Sequence, residues 1–456
     1  MTYCNHFKGK KITVMGLGLL GRGVGDARFL AGCGAELMIT DLKSREQLAP
    51  SLAALSEFPN ITYVLGEHRL EDFRGCDMVL KAAGVPLDSV YIAEARAHGI
   101  PVEMSAALFA RLSGVPIIGV TGTRGKSTTT HLIHHVLSQV TGKKVLLGGN
   151  VREVSNLALL DEVTEKSIAV MELDSWQLQG FGEAKISPHI AVFTNFLDDH
   201  LNYYGGNREK YFADKAQIFL HQKQGDTFVT TPEMFERTEV YVKAHGATFA
   251  QEVVIVDESL VPDEWTLPLI GLHNRLNIAL ACAALRAAQV EDEAIRIGVE
   301  TFHGLPGRLE FLGEHNGVKI YNDNNATTPD ATVAALRALG TPKKNVVLIV
   351  GGDDKNLDMS GLLAEIPHFC SHVVLFKERG TERIRDDIFS MKKDGLDVYE
   401  EEGLEATVKR AFAVAKAGDI ILYSPAFTSF GKYFKNEYDR NDQFVALVTE
   451  FLSKSS

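Results

Sequence analysis

Residues 117–128 read Ile117-Ile118-Gly119-Val120-Thr121-Gly122-Thr123-Arg124-Gly125-Lys126-Ser127-Thr128: an apolar run, a glycine turn, and then sequence with helical spacing. Glycines in such a turn let backbone N–H groups converge on phosphate oxygens without side-chain obstruction. A lysine at Lys126 reaches β- and γ-phosphates, and a hydroxyl at Ser127 suits Mg²⁺. The usual pattern has glycine where Val120 stands, so this is a variant of the loop. A strand that feeds a phosphate-binding turn at a helix N-terminus belongs to the α/β class. Gly122, Thr123, Arg124, Gly125, Lys126, Ser127 and Thr128 are therefore candidate ATP ligands, with Lys126 acting on the transferring phosphoryl group.

The same alternation extends in both directions. Lys11–Met15 reads as a strand before a glycine-rich turn and a helix, Glu36–Thr40 as a second strand ending at Asp41, and Met78–Lys81 as a third. Further strands are expected near Val145–Leu147, Ser167–Glu172 and Ile190–Thr194. The pattern restarts in the last third at Val318–Tyr321, Asn345–Val350, His372–Phe376 and Asp419–Tyr423. Three α/β modules fit, with seams near Met104 and at Gly304-Leu305-Pro306-Gly307, dividing the chain into 1–104, 105–304 and 305–456. A chain of 456 residues is also longer than one hydrophobic core usually serves.

Composition narrows the function classes. With 47 basic and 59 acidic side chains the formal charge is −12, which argues against a general nucleic-acid binder. An anionic small substrate remains compatible, because backbone N–H groups and a few lysines make a local positive site. The five scattered cysteines include no CxxC pair, so free thiols in a reducing cytosol are expected, with neither a disulfide framework nor a cysteine zinc site. No stretch approaches the ~20 apolar residues of a membrane span, and the N-terminus lacks a signal-peptide core. A cytoplasmic protein without membrane insertion is the expectation.

A second glycine turn, Gly16-Leu17-Gly18-Leu19-Leu20-Gly21, follows the first strand, and Asp41 ends the next. Such a turn brings a pyrophosphate to a helix N-terminus, with the acidic residue on a sugar or base. Alone it suits a nicotinamide dehydrogenase or a purely structural turn. Beside an ATP loop, a nucleotide-diphosphate substrate fits both. Carboxylates and polar clusters recur at strand ends: Glu172, Asp198-Asp199-His200, Tyr321-Asn322-Asp323-Asn324-Asn325 and Gly351-Gly352-Asp353-Asp354-Lys355. Ligands of open α/β sheets gather there. Asp323 suits a ribose or a cation, Lys355 a carboxylate, and Asn274 at least a helix cap. Generic rules would not choose His200 for Mg²⁺, which prefers oxygen donors, and would read Lys215 as a solvated helix lysine.

In order along the chain, Gly122–Ser127, Gly148-Gly149-Asn150, Glu172, Asn195 with Asp199-His200, Lys215, His273-Asn274 with Asn277, Leu305-Pro306 with Arg308, and Asn322-Asp323 resemble the Mur ligase family over essentially its whole length. The resemblance implies a Rossmann-like N-terminal domain for a UDP substrate, a central P-loop ATPase-type domain, and a Rossmann-like C-terminal domain for an amino acid. Within the family the chain is similar to the glutamate-adding branch, implying ATP, Mg²⁺, UDP-N-acetylmuramoyl-L-alanine and glutamate, and a monomer. On that resemblance Gly16, Leu17, Gly18, Leu20, Asp41, Leu42, Gly84 and Asn150 serve the UDP substrate. Asn274, Asn277, Arg308 and Asp323 join the loop at ATP, while Lys355, Ser429, and Phe434 or Tyr438 serve the amino acid. It further implies that Lys215 is carbamylated and that Ser127, Glu172, His200 and the Lys215 carbamate serve the metal. The chain departs from the pattern at Gly307, usually histidine, at Asn325, usually lysine, and in a lengthened 430–436 segment. These departures leave D- and L-glutamate open. A sister ligase using another amino acid, and a nucleotide-binding protein that is not a ligase, are the alternatives.

Overall fold

The computed structural model describes residues 3–453 apart from 19, 20, 141, 201, 202 and 430, so the candidate Leu20 lies outside the described residues. Two compact units are present: Met1–Asp263 with Asn277–Val299, and Glu264–Leu276 with Glu300–Ser456.

The first unit holds two parallel sheets. β1 (Lys11–Met15), β2 (Glu36–Asp41), β3 (Ile61–Leu65), β4 (Met78–Lys81) and β5 (Val102–Glu103) stand in the order β3-β2-β1-β4-β5. The chain leaves β1 towards one edge and returns at β4 to build the other. The C-terminal ends of β1 and β4 therefore flank a topological switch point, where such sheets bind ligands. β6 (Ile117–Thr121), β7 (Val145–Gly149), β8 (Ile168–Glu172), β9 (Ile190–Phe193), β10 (Thr227–Thr230) and β11 (Glu252–Ile255) form the second sheet, ordered β11-β10-β9-β6-β8-β7. β6 and β8 are buried along their whole length, which is why they read as unbroken apolar runs.

In the second unit β12 (Glu310–His315), β13 (Val318–Asn322), β14 (Val346–Val350), β15 (Cys370–Phe376), β16 (Asp397–Glu401) and β17 (Ile420–Tyr423) stand in the order β12-β13-β17-β14-β15-β16. Only β12 runs antiparallel to its neighbour, with a bulge between Phe311 and Gly313. The α/β class expected from sequence is thus present, in three sheets.

Six strands escaped sequence reading: β3, β5, β10, β11, β12 and β16. Five of them lie at sheet edges, where partial exposure dilutes the apolar signal, and the sixth, β10, is only four residues long. The cysteine expectation needs a correction, because Cys4 and Cys33 are joined in a disulfide with Cα atoms 4.5 Å apart. Phe7 packs edge-on against Phe29, which brings the N-terminal turn beside the end of helix Arg22–Gly32, and sequence spacing does not reveal that approach. Cys76, Cys282 and Cys370 are free. Among the described residues no helix is long and apolar enough to cross a membrane.

Candidate active site

The Gly122–Gly125 turn leaves β6 and enters helix Lys126–Val140. Gly122 holds φ +144°, and a Cβ there would lie 1.9 Å from Thr194 Oγ1; one on Gly125, at φ +81°, would lie 2.2 Å from Asn277 Oδ1. Only glycine satisfies both the dihedral and the space. The loop is also pinned from β9. The Thr123 N–H donates to the Asn195 carbonyl at 2.9 Å, the Arg124 N–H to Asn195 Oδ1 at 2.8 Å, and the Leu197 N–H to Thr123 Oγ1 at 2.9 Å. The shape of the turn is thus held by a neighbouring strand end.

Two lysines converge on this turn. Lys126 Nζ donates to the Gly122 and Thr123 carbonyls at 3.0 and 3.1 Å, and Lys215 Nζ donates to the Gly122 carbonyl at 2.8 Å. Lys215 lies on helix Arg208–Ala216, is only 1% exposed, and sits 4.9 Å from the Tyr211 ring centroid. Burial holds its ammonium well below the ordinary lysine value, and the nearby Lys126 charge pushes it the same way. Burial also lowers Lys126, with Glu172 opposing. The expectation of a solvated lysine at 215 is therefore corrected: the helix turns it inward onto the loop.

The carboxylates stand around this pair. Glu172, buried at the end of β8, is held by Asn150, whose N–H donates to the Glu172 carbonyl at 2.7 Å and whose side-chain amide donates to Glu172 Oε1 at 3.3 Å. Asn150 Oδ1 in turn accepts from Arg22, linking the central sheet to the N-terminal helix. Buried Asp199 pairs with Arg124 at 3.2 Å and lies 3.7 Å from His200 Nε2. His200 adopts φ +54° and packs against Trp176 with the rings tilted by 56° and centroids 4.9 Å apart. A left-handed histidine held this way is the kind of local strain that collects at functional sites. Among the described residues no three His, Cys, Asp or Glu side chains already form a metal cluster. Glu172 and His200 alone do not complete one, so a metal here needs oxygens from elsewhere, such as phosphates or a modified Lys215.

At the N-terminal switch point Asp41 is buried, and its Oδ2 accepts the Leu17 and Gly18 N–H groups at 2.9 and 3.3 Å. Its Oδ1 accepts the Lys43 N–H at 2.9 Å. The carboxylate therefore shapes the Gly16–Gly18 turn as well as offering an acceptor there. Leu42 beside it is 66% exposed, and Gly84 is exposed on the turn after β4.

In the second unit Asp323 follows β13, buried, accepting from the Leu309 N–H at 3.2 Å and the Ser424 hydroxyl at 2.9 Å. Burial pushes its carboxyl up to about 7, against those hydrogen bonds and the Arg308 charge. The Arg308 N–H donates to the Leu305 carbonyl at 3.2 Å. Asn274, on helix Leu272–Ala287, donates to the Ile270 carbonyl at 2.8 Å. Lys355 Nζ lies 3.4 Å from Thr327 Oγ1. Ser429 is 2% exposed and its hydroxyl has no partner among the described residues. Phe434 belongs to the core, its ring 5.7 Å from that of Phe376, whereas Tyr438 is partly exposed at the start of helix Glu437–Ser453.

Several residues went unnoticed in the sequence. Arg440 is fully buried and donates to Asn324 Oδ1, the Asn324 carbonyl and the Phe427 carbonyl at 2.8, 2.8 and 3.0 Å. Asp26 accepts from Ser155 at 2.6 Å and the Leu157 N–H at 3.0 Å, tying helix Arg22–Gly32 to the segment after β7. Lys81 is buried at the end of β4, and its only sequence signal is a charge closing an apolar strand.

Comparison with known proteins adds the following. Residues 10–103 match the MurD-like N-terminal domain of Mur ligases, 120–285 the Mur ligase middle domain, and 307–427 the Mur ligase glutamate ligase domain. The chain is 38% identical over 470 residues to the UDP-N-acetylmuramoylalanine--D-glutamate ligase of Roseiflexus sp. (strain RS-1), covering 97% of this chain and 99% of that one. It is 33% identical over 461 residues to the like-named protein of Borreliella afzelii (strain PKo), covering 97% and 98%. The crystal structure of UDP-N-acetylmuramate-alanine ligase MurC from Thermotoga maritima superposes with TM-score 0.59 at 19% identity, covering 97% of this chain and 99% of that one, a likeness of fold.

Proposed function

The chain belongs to the Mur ligase family, and from that premise we propose that it is the ATP-dependent ligase that adds D-glutamate to UDP-N-acetylmuramoyl-L-alanine in peptidoglycan synthesis. The observation that carries the reading is the meeting of Lys126 and Lys215 at the Gly122 carbonyl, in a chain whose full-length relatives bear that enzyme's name. We place it in the cytoplasm as a monomer. Segment 1–104 is assigned to the UDP substrate, 105–304 to ATP and 305–456 to the incoming amino acid.

A free carboxylate is a poor acceptor for an amine, so ATP supplies a leaving group. The terminal carboxylate of the substrate attacks the γ-phosphorus, the bond to the bridging oxygen breaks, and ADP departs. The glutamate amine then adds to the acyl-phosphate carbon, loses a proton, and expels inorganic phosphate. The turn N–H groups of Gly122–Thr128 and the Lys126 ammonium are placed to hold the transferring phosphoryl group. Asn277 packs on that turn, and Asn274, Arg308 and Asp323 keep their assignment to the nucleotide. Mg²⁺ bound with ATP would neutralise further phosphate charge.

Glu172, His200 and Ser127 are the protein groups proposed around that cation. Lys215 suits carbamylation because a buried amine held below its ordinary value presents the neutral form that CO₂ attacks. Addition of CO₂ to Nζ forms the N–C bond, releases one proton, and leaves an anionic oxygen donor beside Lys126. In the C-terminal segment Lys355, Ser429 and Tyr438 are assigned to glutamate, while the core position of Phe434 gives it a packing task.

The test is ADP release measured with UDP-N-acetylmuramoyl-L-alanine and either D- or L-glutamate. Release with D-glutamate and dependence on both substrates is expected, with turnover lost in Lys126→Ala. Release with neither enantiomer would sink the reading, and release with L-glutamate alone would move the chain to a sister specificity.

A further inference from the structure

Lys81 closes β4 and is 2% exposed, yet the proposed chemistry leaves it without a task. A lysine at a strand end ordinarily extends its ammonium to water, and burial is costly unless hydrogen bonds offset it. Here the offset is local and complete. Nζ donates to the carbonyls of Ala82, Ala83 and Val85 at 3.2, 3.3 and 2.7 Å, one for each ammonium proton. Burial lowers the group to about 8, while Asp174 and Asp214 favour its charged form, so it remains charged at neutral pH.

The turn that Lys81 gathers stands at the switch point of the first sheet. The Ala82 N–H donates to the Met15 carbonyl of β1 at 2.9 Å. A Cβ on Gly16 would come 3.0 Å from Ala82 Cβ and 3.5 Å from Val85 Cγ2, so the two glycine turns are in contact. Within the Ala82–Val85 turn the carbonyls face the ammonium, and the N–H groups of Ala83 and Gly84 make no hydrogen bond among the described residues. Unpaired successive amides beside a buried cation form an anion-binding arrangement.

We propose that Lys81 is a positioning residue for the diphosphate of the UDP substrate: by drawing in the carbonyls of Ala82, Ala83 and Val85 it leaves the Ala83 and Gly84 amides for phosphate oxygens. The inference rests on the reading of segment 1–104 as the UDP site. Lys81 touches no substrate and acts through the turn.

The full-length protein is titrated with UDP and, in parallel, with ADP. Lys81→Met is expected to weaken UDP binding about tenfold, as for one or two misplaced hydrogen bonds, with ADP affinity within about twofold of the parent. In turnover the KM for the UDP substrate should rise with kcat unchanged, and Lys81→Gln, which keeps two donors, should recover part of the loss. If Lys81→Met does not fold, Lys81→Gln carries the same comparison. UDP binding unchanged in these variants would overturn the inference alone, as would equal loss of UDP and ADP. Failure of the parent protein to bind UDP would overturn both the inference and the reading beneath it.

Discussion

The ammonium groups of Lys126 and Lys215 donate to one carbonyl, that of Gly122, at 3.0 and 2.8 Å. Two like charges on one acceptor in a buried setting oppose each other, and each favours the neutral form of its neighbour. Lys215 is the more deeply buried and is the group driven well below its ordinary value. Conversion of that amine to a carbamate would replace repulsion with an opposite-charge pair across the phosphate loop.

Lys215→Ala is therefore expected to lose nearly all turnover while keeping its fold. A short carboxylate such as acetate or propionate, added at millimolar concentration, should restore part of the activity by supplying the missing anionic oxygens. ADP release with and without the added acid measures this. Wild-type turnover retained in the alanine variant would remove the carbamate from the mechanism.

Gly122→Ala meets both a positive φ and Thr194 Oγ1 at 1.9 Å, so the loop must move or β9 must yield. The expected destabilisation is about 1–3 kcal/mol, with loss of ADP binding. Calorimetric melting and ADP titration check the two effects separately. Gly9→Ala provides the contrast in space, since a Cβ there meets nothing within 4 Å although its φ is also positive.

Asp323 carries a sign that pH reveals. Its carboxyl titrates near 7 in the folded chain against an ordinary 3.8, because burial disfavours the charge. Between those values the folded state holds a proton that the unfolded state has lost, so stability falls as pH rises from about 4 to about 7 and stays lower above. Asp323→Asn removes this slope and should be more stable than the parent at pH 8, by on the order of a few kcal/mol, and so melt higher. The Ser424 hydroxyl can turn to accept from the new amide. Activity should fall in the same variant if the carboxylate holds the nucleotide. An unchanged pH slope in melting temperature would refute the assignment.

Ser429→Ala separates binding from stability. The hydroxyl is buried and without a partner among the described residues, so removing it should leave the melting temperature unchanged or slightly raised. The KM for glutamate should rise about tenfold if that hydroxyl meets the substrate, with the KM for ATP unaffected. Equal rises in both would point to a general disturbance of the C-terminal sheet.

Most strands were legible because burial on both faces leaves an unbroken apolar run, as in Val346–Val350. Edge strands such as Glu252–Ile255 carry too short and mixed a pattern to be seen. The glycine loop was legible for a different reason: its dihedrals, its N–H groups and its lysine all lie within a few consecutive residues. Lys215, Lys81 and Arg440 were illegible as buried cations, because nothing adjacent to them in sequence reports that helix or strand packing turns them inward. The Cys4–Cys33 bond escaped likewise, since its cysteines lie 29 residues apart in sequence and meet only through folding.

By itself, then, the sequence determined the α/β class and the phosphate-binding turn at Gly122–Ser127, both properties of local spacing, while residues in order from Gly122 to Asp323 carried the resemblance to Mur ligases. Only the tertiary structure decided that Lys126 and Lys215 share the Gly122 carbonyl, that Asp41 shapes the Gly16–Gly18 turn, and that Lys81 binds three carbonyls in the interior. The physical reason is that protonation and positioning follow from burial and from charges brought close by folding, and neither is a function of neighbours in sequence.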